Sequence, residues 1–156
     1  QCGPRVLDLQ FYRERTECKT LGYAQKWQRF DTPQGFDIKR GPLARAVADR
    51  TGLRLFNTEL SIEGESGGPE MNDWYQQVDC ILVPSLIEGG PLAPFEAAAC
   101  GIPTIGTPVG HLSFFGAMAG CLLVDPRPQK FINEAAGLVS YFGHNPSFYQ
   151  EVCANA

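Results

Sequence analysis

The apolar positions of this chain fall into short runs that alternate with longer segments of mixed polarity. Five runs are predicted to be β-strands, at residues 21–27, 53–56, 81–84, 102–106 and 121–124. The run at 81–84 has no polar alternation, which is typical of a strand that is buried on both faces. Elsewhere, apolar residues recur with a helical period, and proline or glycine marks the ends of the segments. Helices are predicted near residues 42–51, 71–77, 92–100, 110–118, 128–142 and 146–155.

Apolar strands that alternate with helices predict the α/β fold class. We expect an open, Rossmann-like parallel sheet of about five strands with helices on both faces. Residues 21–156 are predicted to form this single domain, and residues 1–20, which carry both charge signs, are predicted to be a connecting segment docked on it. Ligands of such sheets bind outside the carboxyl ends of the strands, so the loops that follow the strands form the candidate site.

Composition narrows the class of protein. With 44% hydrophobic and 19% charged residues, the chain is predicted to be globular and soluble rather than disordered. A formal net charge of −4 argues against nucleic acid or an anionic membrane as a partner. The sequence has no apolar run of about 18 residues and no basic leader before an apolar stretch, so neither a membrane span nor a signal peptide is predicted.

The six cysteines allow two interpretations of the redox environment. A free thiol inside an apolar run packs as a small hydrophobic group, which is the prediction for Cys80, Cys100 and Cys121. Near the chain ends, either a free thiol or a disulfide is compatible with Cys2, Cys18 and Cys153. The chain has no Cys-x-x-Cys pair or Cys/His spacing that suits zinc, and we favour a reducing, cytoplasmic location.

The loop after the third strand carries the strongest candidate chemistry. Gly89 and Gly90 lack Cβ atoms, and the helix that follows directs N–H groups and a positive dipole end at the same place, which suits a phosphate. Glu88 can accept hydrogen bonds from sugar hydroxyls, and Glu96 can bind a vicinal diol with both carboxylate oxygens. The alternative is an ordinary glycine turn with two solvated glutamates, and spacing alone does not decide between the two.

Cationic side chains cluster at and after the end of the first strand. Lys26, Arg29, Lys39 and Arg40 fit a diphosphate, with lysine as a point charge and arginine as a fork, although a solvated basic loop has the same composition.

The turn after the fourth strand offers Thr107 and His111 as further ligand contacts, although a lone histidine in a turn is more often structural. The chain shows no Ser-His-Asp arrangement, no set of metal ligands and no Gly-x-Gly-x-x-Gly opening the first helix. The missing glycine motif counts against a dinucleotide-dependent dehydrogenase.

Residues 85–110, SLIEGGPLAPFEAAACGIPTIGTPVG, resemble the signature of the retaining GT-B glycosyltransferases of family 4, also called group 1. Its hallmark is two glutamates separated by seven residues, here Glu88 and Glu96. Other matching positions are Pro84, Ser85, Gly89, Ala97, Ala99, Gly101, Pro103, Ile105 and Gly110. Fainter similarity covers most of the chain, in the hinge-like VLDLQFYR, the strand LGYAQKW, the segment DIKRG, and WYQQVDC with Tyr75 and Asp79.

The resemblance implies the C-terminal, donor-binding half of an enzyme that transfers sugar from a nucleotide-diphosphate sugar with retention. It gives catalytic roles to Glu88, which would hold the donor sugar, and to Lys39, which would neutralise the leaving diphosphate together with Lys26 or Arg29. It assigns Glu96 to the ribose, and the backbone of Gly89, Gly90, Pro91 and Leu92 to the sugar and phosphate. The nucleotide sugar is a substrate, so the resemblance implies no cofactor and no catalytic metal.

The implied partner is an N-terminal acceptor-binding domain, and this chain is expected to be inactive without it. If the enzyme is a peripheral membrane protein, that domain would hold it at the membrane. Two departures from the family pattern bear on donor choice. Only residues 57–73 occupy the place where the family has another strand–helix pair. The glutamate that is common after the glycine turn is also missing, because residues 112–115 are LSFF. The alternatives are a non-catalytic module that binds a nucleotide or nucleotide-sugar, and another α/β enzyme such as a sugar-nucleotide epimerase.

Overall fold

The computed structural model describes residues 12–25, 37–58, 69–115 and 120–156. The strands in these ranges are β1 (Thr20–Tyr23), β2 (Arg54–Asn57), β3 (Cys80–Val83), β4 (Thr104–Gly106) and β5 (Cys121–Leu123). The helices are α1 (Gly41–Thr51), α2 (Pro69–Gln76), α3 (Ala93–Ala99), α4 (Leu112–Phe115), α5 (Pro128–His144) and α6 (Pro146–Ala154). Strands and helices therefore alternate in the predicted order.

The strands form one parallel sheet of five strands, as the sequence predicted, and their order in the sheet is β2-β1-β3-β4-β5. Leu21 in the middle of the sheet pairs with Leu55 on one side and with Cys80 on the other. The chain thus leaves β1 for one edge of the sheet and returns to the other side of β1 for β3. The carboxyl ends of β1 and β3 form the topological switch point at which open α/β sheets bind ligands.

Helices cover both faces of the sheet, and each face has its own hydrophobic core. Side chains of β3 alternate between the two cores: Cys80 and Leu82 pack with α1, α5 and α6, whereas Ile81 and Val83 pack with α2, α3 and α4. All four side chains are at most 1% exposed. Burial on both faces explains why this strand lacks polar alternation in the sequence.

Prolines and glycines define the ends of the helices that lead into the site. Helices α1 and α3 both carry proline in their first turn, where the missing N–H is not needed for the helical hydrogen-bond pattern. Gly52 and Gly101 follow these helices with φ angles of 71° and 69°, in the left-handed region that glycine adopts at little cost.

Three predicted strands are longer than the strands in the structure: the first, the fourth and, by one residue, the fifth. The first, predicted over 21–27 with a lysine at its end, stops at Tyr23 because its last partner in the ladder is Asn57. Residues after Gln25 in this stretch, Lys26 included, lie outside the described residues. The fourth begins at Thr104 instead of residue 102, because Pro103 has no N–H to contribute to the ladder.

Arg15 and Asp79 anchor the segment before β1 at the amino edge of the sheet. Arg15 is 3% exposed, and its guanidinium group donates to the carbonyl oxygens of Val78 at 3.1 Å, Tyr75 at 2.9 Å and Cys100 at 2.5 Å. The Asp79 carboxylate accepts from Arg13 at 2.7 Å and from the backbone N–H of Thr20 at 3.0 Å. This polar cluster lies at the end of the sheet opposite to the switch point.

The cysteines in the described ranges form no disulfide and are buried, namely Cys18, Cys80, Cys100, Cys121 and Cys153. Burial confirms the prediction for Cys80, Cys100 and Cys121, which lie in apolar runs. Burial raises the pKa of Cys18 to about 12 and that of Cys121 to about 11.

None of the helices in the described part of the chain has the length and apolarity needed to span a bilayer.

Candidate functional site at the carboxyl edge of the sheet

Glu88 is the centre of a hydrogen-bond network at the switch point. Its Oε1 atom accepts from Gln25 Nε2 at 2.8 Å and from Ser85 Oγ at 2.8 Å, and it forms an ion pair with the Lys39 ammonium group. The side chains of Lys39 and Glu88 are 13% and 11% exposed. Gln25 follows β1, Ser85 and Glu88 follow β3, and Lys39 precedes α1, so three separate segments converge on one carboxylate.

Backbone contacts bring Lys39 to this position. The Tyr23 hydroxyl, at the end of β1, donates to the carbonyl oxygen of Lys39 at 3.1 Å. The N–H of Leu86 donates to the carbonyl oxygen of Ile38 at 2.8 Å. The segment before α1 is therefore tied both to β1 and to the loop after β3, and the ammonium group of Lys39 reaches Glu88 from this support.

The structure gives Arg40 a different role from the predicted one, which is that of a cation for a diphosphate. It caps α1 with a φ of 55°, is 8% exposed, and donates to the carbonyl oxygens of Pro84 at 2.5 Å, Pro126 at 2.6 Å and Ser85 at 3.3 Å. Burial lowers the pKa of the guanidinium group. Because the carbonyl groups that accept from Arg40 lie in the loop after β3 and in the loop after β5, its side chain joins these two loops.

Thr107 and Gly110 fix the loop after β4 against the Glu88 loop. The Thr107 side chain is fully buried and its hydroxyl group donates to the carbonyl oxygen of Ser85 at 2.5 Å. Gly110 has a φ of 51°, and a Cβ atom there would lie 2.7 Å from the carbonyl oxygen of Glu88. The structure thus gives Thr107 a supporting contact with the loop, and Gly110 a position that only glycine fits without displacement.

The predicted glycine turn is open to solvent. Gly89 and Gly90 are exposed, Leu92 is 70% exposed and Pro91 is buried. A Cβ atom on Gly90 would lie 2.5 Å from Nε2 of His111, so the imidazole packs directly on this glycine. The exposed His111 ring also meets the Phe95 ring edge to face, with centroids 6.0 Å apart. His111 therefore lies at the rim of the Glu88 loop.

Glu96 is half-buried on α3 and is held by a different hydrogen-bond partner from those of Glu88. The Tyr75 hydroxyl group of α2 donates to its Oε2 atom at 2.8 Å. Burial, followed by the nearby Glu96 charge, raises the pKa of Tyr75 well above its usual range. Tyr75 is therefore a neutral donor at any ordinary pH, and it holds one oxygen of the carboxylate.

The structure brings together most, but not all, of the residues predicted for the site. Lys26 and Arg29 lie outside the described residues. Sequence reasoning missed Gln25, whose Oε1 atom also lies 2.8 Å from Ser85 Oγ. No sequence signal singled it out, because the first strand is predicted over residues 21–27 and Gln25 lies inside that range. Within the described ranges, no group of three or more His, Cys, Asp or Glu side chains could hold a metal ion.

This arrangement suits a ligand that carries both hydroxyl groups and an anion. Glu88 is a carboxylate acceptor fixed by several donors, and Lys39 is a cation beside an exposed glycine turn. Glu96 provides a second, separately held acceptor. Carboxylates bind hydroxyl groups, whereas an ammonium group and backbone N–H groups bind phosphate oxygens.

A model of the family described as "Glycosyl transferases group 1" matches residues 40–140, more than half of the chain. D-inositol 3-phosphate glycosyltransferase 1 of Catenulispora acidiphila is 30% identical over 118 residues, which are 72% of this chain and 24% of that protein. The chain thus spans about a quarter of the length of such curated relatives.

Solved structures show the same fold at low sequence identity. The C-terminal domain of a group 1 family glycosyl transferase from Francisella tularensis has a TM-score of 0.65 and 16% identity, over 95% of this chain and 93% of that domain. Sucrose-phosphate synthase from Thermosynechococcus elongatus has a TM-score of 0.60 and 18% identity, over 95% of this chain and 44% of that protein. The fold is the Rossmann-like fold of GT-B glycosyltransferases, and with the family match the chain belongs to the group 1 glycosyltransferases.

Proposed function

We propose that this chain is the donor-binding domain of a retaining glycosyltransferase and that it binds a nucleotide-diphosphate sugar at the carboxyl edge of its sheet. The observation that carries the proposal is the contact between Lys39 and Glu88 at the switch point. A carboxylate for sugar hydroxyls and a cation for a diphosphate are adjacent there. Glu88 lies within the segment that matches the family model, and Lys39 directly precedes that segment.

Glu88 and Lys39 would exchange their mutual contact for contacts with the donor. Glu88 would accept hydrogen bonds from the sugar hydroxyl groups, and the backbone of the exposed turn from Gly89 to Leu92 would face the sugar and phosphate. Lys39 would contact the diphosphate, assisted by Lys26 or Arg29. Because Gln25 and Ser85 also hold Glu88, the carboxylate keeps its position when the ammonium group turns to the donor.

The chemical task of these residues would be to stabilise the leaving group. Negative charge grows on the diphosphate as the glycosidic bond breaks, and a fixed cation in a partly buried site stabilises that charge. Lys39, of which 13% of the side chain is exposed, supplies such a cation without a metal ion. Metal-independent transfer is therefore part of the proposal.

The acceptor would be held by a second domain of the full-length protein. The proposal rests on length, because the relatives are about four times as long as the region that this chain matches. An active site between two domains would leave this chain able to bind donor but with little or no turnover. Adding an acceptor-binding domain in the same polypeptide should restore transfer.

A thermal-shift screen of the 156-residue chain tests the proposal. The ligands are ADP, GDP, UDP and CDP and common sugar conjugates of each, because binding to the native state raises the melting temperature. We expect one nucleotide series to raise it, with a smaller shift in Lys39→Met and an unchanged shift in the exposed control Lys130→Met. Binding of a nucleotide without any added effect of its sugar would favour the non-catalytic nucleotide module. No shift with any ligand would refute donor binding.

A further inference from the structure

We propose that Tyr75 is a positioning residue that orients Glu96 and thereby gives the site its preference for nucleotides with both ribose hydroxyl groups over their 2′,3′-dideoxy forms. This inference rests on the proposed function, in which Glu96 binds the ribose. Tyr75 itself would not touch the ligand, and it would act only through the carboxylate.

Tyr75 is held rigidly. Its side chain is 1% exposed, and its ring meets the Trp74 ring edge to face, with centroids 5.1 Å apart. Its hydroxyl group lies 2.8 Å from Oε2 of Glu96 and 3.5 Å from the carbonyl oxygen of Ala93. The shorter contact is a normal hydrogen bond and the longer one is too long to compete with it. The hydroxyl group of a fixed ring therefore points at one oxygen of a half-buried carboxylate.

A fixed donor restricts what an otherwise mobile carboxylate can do. The terminal torsion of a glutamate is broad and roughly two-fold, so an unrestrained carboxylate samples many orientations. Two vicinal hydroxyl groups are best accepted by both oxygens of a carboxylate held in one plane. The Tyr75 bond selects that plane before the ligand arrives and spares the entropy cost of ordering the side chain on binding.

Tyr149 provides the contrast that separates positioning from ordinary packing. It is also a fully buried tyrosine, and its hydroxyl group donates at 2.7 Å to the carbonyl oxygen of Asp79 at the opposite end of the sheet. That bond satisfies a backbone group. The acceptor of Tyr75 is instead a side chain that is half-exposed on the ligand edge, where its orientation matters for binding.

The test compares two ligands that differ only in the ribose hydroxyl groups. The 156-residue chain is titrated by calorimetry with the tightest-binding of ADP, GDP, UDP and CDP, and with the 2′,3′-dideoxy form of the same nucleotide. In Tyr75→Phe we expect the ratio of the two affinities to fall about three- to tenfold, the range expected for losing one pre-ordered side chain. The affinity for the dideoxy nucleotide should not change, and Tyr149→Phe should keep the wild-type ratio.

A double-mutant cycle keeps the result interpretable if Tyr75→Phe also lowers stability. In the Glu96→Ala background, Tyr75→Phe should have no further effect on the ratio, because the carboxylate through which it acts is gone. An unchanged ratio in Tyr75→Phe, with a reduced ratio in Glu96→Ala, would overturn the role of Tyr75 and leave the proposed function intact. If the wild-type chain binds no nucleotide, the proposed function fails and this inference fails with it.

Discussion

The Lys39 ammonium group and the Glu88 carboxylate form an ion pair at the carboxyl edge of the sheet, and both side chains are nearly buried. Under the proposed function these two groups serve different parts of one donor, the diphosphate and the sugar. In the structure they neutralise each other, and two further donors, from Gln25 and Ser85, hold the carboxylate in place. The ion pair thus stabilises the ligand-free site.

Lys39→Met should lower the free energy of unfolding by about 1–3 kcal/mol, because it leaves a nearly buried carboxylate without its cation. Most of the loss should return in the double variant Lys39→Met/Glu88→Gln, which also removes the negative charge. Urea unfolding measures both effects. The control is Lys130→Met. In the wild-type chain the Lys130 ammonium group lies on the surface, 3.9 Å from a carboxylate oxygen of Asp125. If Lys39→Met costs no more than this control, the ion pair has no structural role.

Gly110→Ala should destabilise the protein by about 1–3 kcal/mol, because the φ of 51° and the carbonyl oxygen of Glu88 both oppose a Cβ atom. The change displaces the Glu88 loop, so nucleotide-sugar affinity should fall with stability. Gly137 in α5 is the matched control, since nothing lies within 4 Å of a Cβ atom there. Gly137→Ala should raise the free energy of unfolding by about 0.5–1 kcal/mol through helix propensity. Thermal melts that do not separate the two variants would contradict the close approach of the two loops.

Arg15→Met should be among the most damaging single substitutions, at about 3–5 kcal/mol, because it removes the buried guanidinium donor that three backbone carbonyl groups share. The matched control is Arg45→Met on the exposed face of α1, where a change within about 0.5 kcal/mol is expected. Chemical unfolding of both variants checks this. Equal stability of the two would show that the segment before β1 is not anchored through Arg15.

Stability should fall with rising pH in the alkaline range, partly through Cys18. Burial raises the pKa of this thiol to about 12 in the folded chain, against about 8.5 for a free thiol. The unfolded chain therefore loses the proton first, and stability present below pH ~8.5 is lost progressively as pH rises toward the folded pKa. In Cys18→Ala this part of the decline is absent.

The measurement is the difference between the wild-type and Cys18→Ala curves of unfolding free energy at several pH values between neutral and alkaline. The difference should change by up to about 1.4 kcal/mol per pH unit above pH ~8.5. Parallel curves would mean that the Cys18 thiol has a similar pKa in both states.

The elements of this fold could be predicted because their signals are local. Helical periodicity, and the prolines and glycines at element ends such as Pro42 and Gly52, place strands and helices to within a few residues. The error at β1 comes from a ladder partner that the local sequence does not show, whereas the error at β4 comes from Pro103, which has no N–H for the ladder. The prediction of a parallel sheet also placed the candidate loops at one edge of that sheet, because the carboxyl ends of parallel strands lie at the same edge.

The contacts within the site could not be predicted, since they join distant segments. Gln25 and Glu88 are 63 positions apart, and no local pattern indicates that they meet. Arg40 looked like one of several cations in a loop, but a left-handed backbone and three carbonyl acceptors give it a supporting position. The resemblance indicated Glu88 and Lys39 as site residues, whereas their direct ion pair came only from the structure.

The most direct test of the central claim is calorimetric titration of wild-type chain and Glu88→Ala with one nucleoside diphosphate and its sugar conjugate. If Glu88 holds the donor sugar, the wild type should bind the conjugate more tightly than the nucleotide, and Glu88→Ala should lose that advantage, a drop of about tenfold or more, while keeping most of its nucleotide affinity. A sugar advantage that survives in Glu88→Ala, or that is absent from the wild type, would contradict the donor site proposed at this edge of the sheet.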